Sequence, residues 1–188
     1  MSEDGENTGP HEDLTAAFAA LDIDRDRDRF LRELIGELSE TLENVVGLSE
    51  AAGFIAVVGA RIGAMMDRDY RDALGVERME VEQVAAALVD LKQRLDSGFS
   101  IESIDDSKIV LRNTRCPFGE LVKGRTSLCM MTSNVFGKIA AENLGYARLE
   151  IPESIAQGDQ TCRVIVHLVP KDKRDPEPAR EYFAVSDG

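Results

Sequence analysis

Read for the period of its apolar positions, the chain is helical in its first half and mixed in its second. Between 28 and 46, Leu31, Leu34, Ile35, Leu38, Leu42 and Val45 recur at helical spacing, which predicts an amphipathic helix whose stripe needs a partner. The following segment, Ser49 to Leu74, opens on a capping residue. It is apolar on most sides through Phe54, Ile55, Val57, Val58, Ile62 and Met65, which predicts a buried central helix. Gly53, Gly59 and Gly63 would each cost an isolated helix up to about 1 kcal/mol. Their presence predicts close backbone approach to a ligand or, the more ordinary reason, to another helix. A third helix fits Val81 to Leu95, with Val84, Leu88, Leu91 and Leu95 on one side and Gly98 beyond its end.

The period then changes. Phe99 and Ile101 alternate with polar positions, Asp105-Asp106-Ser107 reads as a turn, and Ile109 and Leu111 alternate again, which predicts a β-hairpin. A helix from about 127 to 144 carries Leu128, Met131, Val135 and Ile139 as its core stripe and stops at Gly145. Two strands follow: Ala147, Leu149 and Ile151 alternate with polar residues, and after Gly158-Asp159 a second strand runs from Thr161 to Val169. The order ααα-ββ-α-ββ predicts an α+β fold, with N-terminal helices packed on a small antiparallel sheet. Residues 1–27 are expected to be an acidic, flexible tail, because 2–13 carry five acidic residues and no large apolar one. The α+β domain is then 28–169, and 170–188, rich in Pro and charge, is expected as a loose extension in which Tyr182, Phe183 and Val185 could dock as a small apolar patch.

Composition narrows the function classes. The chain has 188 residues, 43% of them hydrophobic, enough for one domain with a sizeable core. With 22 Lys and Arg against 35 Asp and Glu, its net charge of -13 argues against binding to a nucleic-acid backbone or an anionic membrane. No uninterrupted apolar run approaches the roughly 20 residues that span a bilayer, and the N-terminus lacks the pattern of a signal peptide. A cytoplasmic location is expected, where thiols stay reduced. There is no Gly-x-Ser-x-Gly elbow, no phosphate-binding loop and no His-Glu-x-x-His helix; His11 and His167 stand apart. With no visible acid and base pair, an enzyme, such as a small reductase or hydrolase, ranks behind a binding module.

The distinctive chemistry lies in Cys116, Cys129 and Cys162. Three thiols cannot all pair, and their spacing fits neither a zinc ribbon nor a thioredoxin-like motif. Cys116 precedes Pro117 in an extended, turn-forming stretch. Cys129 lies at a helix start, where free N–H groups favour a thiolate. Cys162 shares a strand face with Val164, Val166 and Leu168, while His167 points to the other face. Three readings stay open: small buried hydrophobes, a redox switch, or a shared site for zinc, an iron-sulfur cluster or haem with an exogenous fourth ligand or a carboxylate such as Asp159.

The Cys-Pro-Phe-Gly segment at 116–119, Leu-Cys-Met-Met-Thr at 128–132, Val135-Phe136-Gly137 and the Ile155 to Asp159 turn into Cys162 resemble the methanogen output domain family, related in pattern to 4-vinyl reductase-type ligand-binding domains. The resemblance spans roughly 30 to 169. It implies the α+β fold of certain vesicle-tethering subunits and a sensory or output role in bacterial or archaeal signalling, exerted through a partner protein. A second resemblance is to the iron-sulfur-binding region of certain repressors, and it points to Cys116, Cys129 and Cys162 as ligands; the DNA-binding half of such repressors has no counterpart here. The expected site is therefore Cys116, Phe118, Cys129 and Cys162, around a small hydrophobic ligand or a metal cofactor. A homodimer through the first long helix and the central helix is also expected, because the apolar positions on 31–45 exceed what a short sheet can cover.

Overall fold

The computed structural model describes residues 10–23, 26–170 and 180–184. The acidic stretch 1–9 and Val185 lie outside them. The chain divides into two units, Met1–Leu31 and Arg32–Gly188. In the first, the expected tail contains a helix, α1 (Pro10–Ala19), because Leu14 and Phe18 fall one turn apart among good helix formers. The second unit holds everything discussed below except the first residues of α2, Arg27 to Leu31.

Helices α2 (Arg27–Val46), α3 (Leu48–Leu74) and α4 (Val81–Gln93) come first, then the hairpin β1 (Phe99–Asp105) and β2 (Lys108–Asn113). Helix α5 (Thr126–Leu144) and strands β3 (Tyr146–Glu153) and β4 (Cys162–His167) follow, so the α+β order read from the pattern is the observed one. The sheet adds a fifth strand. Arg180–Phe183, expected within a loose extension, forms β5 and pairs antiparallel with β3, giving the order β1-β2-β4-β3-β5. The anchor is Tyr182, which packs on the bare backbone of Gly137, where a Cβ would lie 2.2 Å from the ring. Tyr182 also donates to Asn134 Oδ1 at 3.0 Å.

Helices α4 and α5 cover one face of the sheet. Val84, Leu88 and Leu91 of α4 meet Val135, Phe136 and Ile139 of α5 and Ile109, Leu111, Leu149, Val164 and Val166 of the strands. Phe99 stacks edge-on against Phe136 with centroids 5.6 Å apart. The α4 start is held by a capping box between Glu80 and Gln83. On the opposite sheet face His167 lies 3.1 Å from Glu150, the side expected of it.

Helix α3 is not the buried central helix its composition predicts. Only Ala51, Ile55, Gly59, Gly63 and Asp67 are buried, while Phe54, Val57, Val58, Ile62 and Met65 are exposed. The reason is the glycine stripe. A Cβ on Gly59 would come within 2.6 Å of Asn134 Cβ, and one on Gly63 within 2.8 Å of Lys138 Cβ, so α3 lies backbone-close on α5 and turns its large side chains outward. Close helix packing thus accounts for Gly59 and Gly63, whereas nothing lies within 4 Å of a Cβ on Gly53. Helix α3 is also long and apolar enough, by length and composition alone, to cross a membrane: 27 residues with a window of mean hydropathy 1.4. A count of uninterrupted apolar residues misses it because Arg61 and the glycines break the run. Buried core helices of globular proteins meet the same criterion, but only 22% of this window of α3 is buried. The stripe of α2 is outward too, with Leu34, Ile35 and Leu38 exposed and Gly36 buried.

Candidate ligand cavity

At one end of the sheet a small satellite core, separate from the main one, gathers around Val122, Leu128 and Ala156. Two local turns and a helix start build it. After Cys116-Pro117-Phe118 the chain makes a 3₁₀ turn, Gly119–Val122, entered by Gly119 at a φ of 56° that a glycine adopts without strain. The N-terminus of α5 supplies Leu128 and Cys129. A second 3₁₀ turn, Ile155–Gln157, is capped by Ser154 Oγ, which accepts from the Ala156 amide at 3.2 Å. Gly124 N donates to Ala156 O at 2.9 Å and ties the two turns together. The β3–β4 register slips between Glu150 and Glu153, the interval containing Pro152, which has no N–H for the ladder.

Between the satellite core and the main one lies a cavity of about 40 Å³, and Cys116, Phe118, Cys129 and Cys162 all line it. The four residues singled out from sequence are thus brought together on one wall system, with Val122, Leu128, Ile151 and Val164 completing its apolar surface. A second, more open hollow of about 230 Å³ shares Cys129 and Ile151 with it and reaches Arg180 of β5.

Each sulfur has a local role. The Phe118 amide donates to Cys116, Cys129 Sγ lies 3.4 Å from Ser154 Oγ, and the Ile155 amide donates to Cys162 Sγ at 3.3 Å. Burial pushes the Cys116 and Cys162 thiols up from their ordinary range, against these hydrogen bonds, so both are protonated near neutral pH. Among the described residues no group of three or more His, Cys, Asp or Glu side chains could hold a metal ion, so the three sulfurs do not form a shared metal site here. Asp159, considered as a fourth ligand, instead accepts from the Ser154 amide at 2.7 Å and fixes the turn.

Sequence reasoning missed Lys92. It is buried, lines the cavity, and donates from Nζ to Thr132 Oγ1 at 2.8 Å beneath the rings of Phe136 and Phe99. Desolvation is the main influence on its ammonium and outweighs the opposing pull of the three sulfurs, pushing its pKa down to about 8. The signal was present: Lys92 follows Leu88 by one helical turn, inside the apolar run of α4. Asn113, also in the wall, bonds the Cys162 sulfur and, through Oδ1, accepts from Ser97 Oγ at 3.1 Å.

This arrangement of helices on an antiparallel sheet recurs in solved structures. The phenol-responsive sensory domain of the transcription activator PoxR, solved with phenol, superposes with a TM-score of 0.59 at 12% identity over 72% of this chain and 73% of its own. The trafficking protein particle complex subunit 3 of Naegleria fowleri, covalently bound to palmitic acid, gives 0.59 at 13% identity over 84% of this chain and 98% of its own. At such identities the likeness is one of fold. No curated protein matches the chain in sequence. The model of the family described as methanogen output domain 1 matches residues 34–167, spanning the cavity walls from α4 to β4, and the chain belongs to that family.

Proposed function

We propose that the chain is a sensory domain that binds a small hydrophobic ligand in this cavity and passes its state to a signalling partner protein in the cytoplasm of a bacterium or archaeon. One observation carries the reading: Cys116, Phe118, Cys129 and Cys162, from a turn, a helix start and a strand, line a single apolar cavity. Family membership as an output domain supports it, and so does the fold shared with a phenol-responsive sensory domain and with a subunit carrying palmitic acid.

The outward faces of α2 and α3 are the natural route to a partner. Leu34, Leu38, Phe54, Val57, Val58 and Ile62 are all exposed, more apolar surface than isolated side chains account for, and the reading assigns it to a second copy of the chain. Light scattering over micromolar concentrations is expected to give a dimer mass; a monomer throughout would overturn that part.

Thermal melting in the presence of phenol or indole tests the cavity, which has to widen from about 40 Å³ to admit either ring. Ligand in large excess over its Kd raises the stability of the folded state by roughly 2–3 kcal/mol, a shift of several degrees. Cys129→Phe, which fills the cavity from its own wall, is expected to abolish the shift. Melting curves that neither compound moves at about millimolar concentration would refute the reading.

A further inference from the structure

The cavity contains a group that a neutral apolar ligand does not require. Lys92 is only 7% exposed, and its ammonium has three donors of which Thr132 Oγ1 takes one. The Phe136 and Phe99 ring centroids lie 5.3 and 5.9 Å from Nζ. Among the described residues no carboxylate lines the cavity, and the titratable groups that act on Lys92 are the three cysteines. Two of those, Cys116 and Cys162, are held in the uncharged thiol form by burial. Among the described residues the ammonium therefore has no carboxylate partner in this apolar wall, a costly arrangement where leucine or methionine would pack as well. At neutral pH it is mostly protonated, since its pKa lies at about 8.

We infer that the cavity selects a small organic acid, bound as its anion, with the acidic group on Lys92 Nζ and the apolar body against Phe118, Val122 and Leu128. The inference rests on the reading of the cavity as a ligand site and adds the chemical class. A carboxylate or phenolate oxygen at Nζ supplies the missing negative charge and accepts the ammonium's remaining N–H groups. The low polarity of the walls strengthens that pair, because little water competes for it. The chain's net charge of -13 gives anions no general attraction, so selection has to come from this one buried cation.

Matched pairs of probes separate charge from shape. Calorimetric titration of the full chain would compare benzoate with benzamide and 4-nitrophenolate with 4-nitroanisole, at a pH where both acids are ionised and Lys92 is protonated. In the wild type each anion is expected to bind at least about tenfold more tightly than its neutral partner. Lys92→Met is expected to erase that preference while the neutral members bind as before, and Lys92→Arg, which keeps the charge, to retain it. Equal binding within each pair, or a preference that survives Lys92→Met, overturns the inference. Neutral members that bind without any preference for the acids would leave the ligand cavity standing and remove only its chemical class. If no member of either pair binds at about millimolar concentration, both readings fall.

Discussion

Replacing Lys92 with methionine should make the ligand-free protein more stable, and the structure says by how much and at what pH. The folded-state pKa of about 8 against an ordinary 10.5 means that keeping this ammonium charged in the folded protein costs on the order of 3 kcal/mol at neutral pH. Methionine keeps the apolar stem and removes the charge. It also removes the hydrogen bond to Thr132, worth about 1 kcal/mol, and the contact with the Phe99 and Phe136 rings, worth about another. The net expectation is a gain of about 1–2 kcal/mol, an increase visible in urea melts as a higher midpoint at unchanged slope.

The pH dependence gives an independent check. The folded value lies below the unfolded one, so between them the unfolded chain binds more protons and stability rises with pH. From about pH 7 to pH 9 the lysine contributes a rise of roughly 1 kcal/mol in the wild type. Cys116 and Cys162 act in the opposite sense. Their folded values are raised, so the unfolded thiols ionise first and stability falls as pH climbs past their ordinary 9.0. Urea melts at intervals between about pH 7 and pH 9 should therefore show a rise in the wild type that is absent in Lys92→Met. A wild type that gains no stability relative to Lys92→Met over this window, or a variant less stable than the wild type at neutral pH, would refute the assignment of Lys92 as a buried, uncompensated cation.

The glycines offer sharper steric tests. Gly59→Ala and Gly63→Ala place a Cβ 2.6 Å from Asn134 Cβ and 2.8 Å from Lys138 Cβ, with Val135 O at 3.0 Å from the latter. Each should lower stability by about 1–3 kcal/mol despite alanine's better helix propensity. Gly53→Ala, with open space around its Cβ, should raise stability by up to about 1 kcal/mol in the same denaturation assay. Gly137→Ala puts a methyl into the Tyr182 ring, so β5 should detach. Hydrogen exchange at the Arg180–Phe183 amides would then accelerate strongly while exchange in β2 and β4 stays slow.

What the sequence disclosed and what it hid divide along a physical line. Periodicity depends on neighbours close in the chain, so helices α2 to α5, the hairpin and the later strands were legible, with ends that differ from the observed ones by a residue or two, whereas α1 fell within the expected tail. Strand β5 was not legible as a strand because Tyr182 and Phe183 are too few for a pattern; what holds them is a bare glycine 45 positions earlier in the chain, Gly137. The direction in which a helix faces was likewise beyond pattern. The residues of α3 with the most apolar surface point outward, because the contact with α5 is made by its glycines, the residues a hydrophobicity count passes over. At the site, chemical distinctiveness singled out the cysteines and Phe118, which do meet at one cavity. The same focus on thiols led toward a metal and away from Lys92, whose significance lies in burial.

Helix α5 is where the two halves of the molecule's chemistry meet. Its first turns give Leu128, Cys129 and Thr132 to the cavity, and Thr132 holds Lys92 from α4. Its next turns give Asn134, Val135 and Lys138 to the glycine stripe of α3, at separations where no Cβ fits. A contact made through side chains can absorb a small displacement by changing rotamers, but a contact made backbone-close through glycine has no such slack. Any ligand that shifts α5 by pressing on Leu128 or Thr132 must therefore carry α3 with it or open the seam between them. The face of α3 away from that seam presents Phe54, Val57, Val58 and Ile62. On the proposed sensory reading, a domain that reports the contents of a cavity needs a rigid element between the cavity and the surface a partner reads, and that reading assigns the role to α5, with Gly59 and Gly63 as its coupling to α3.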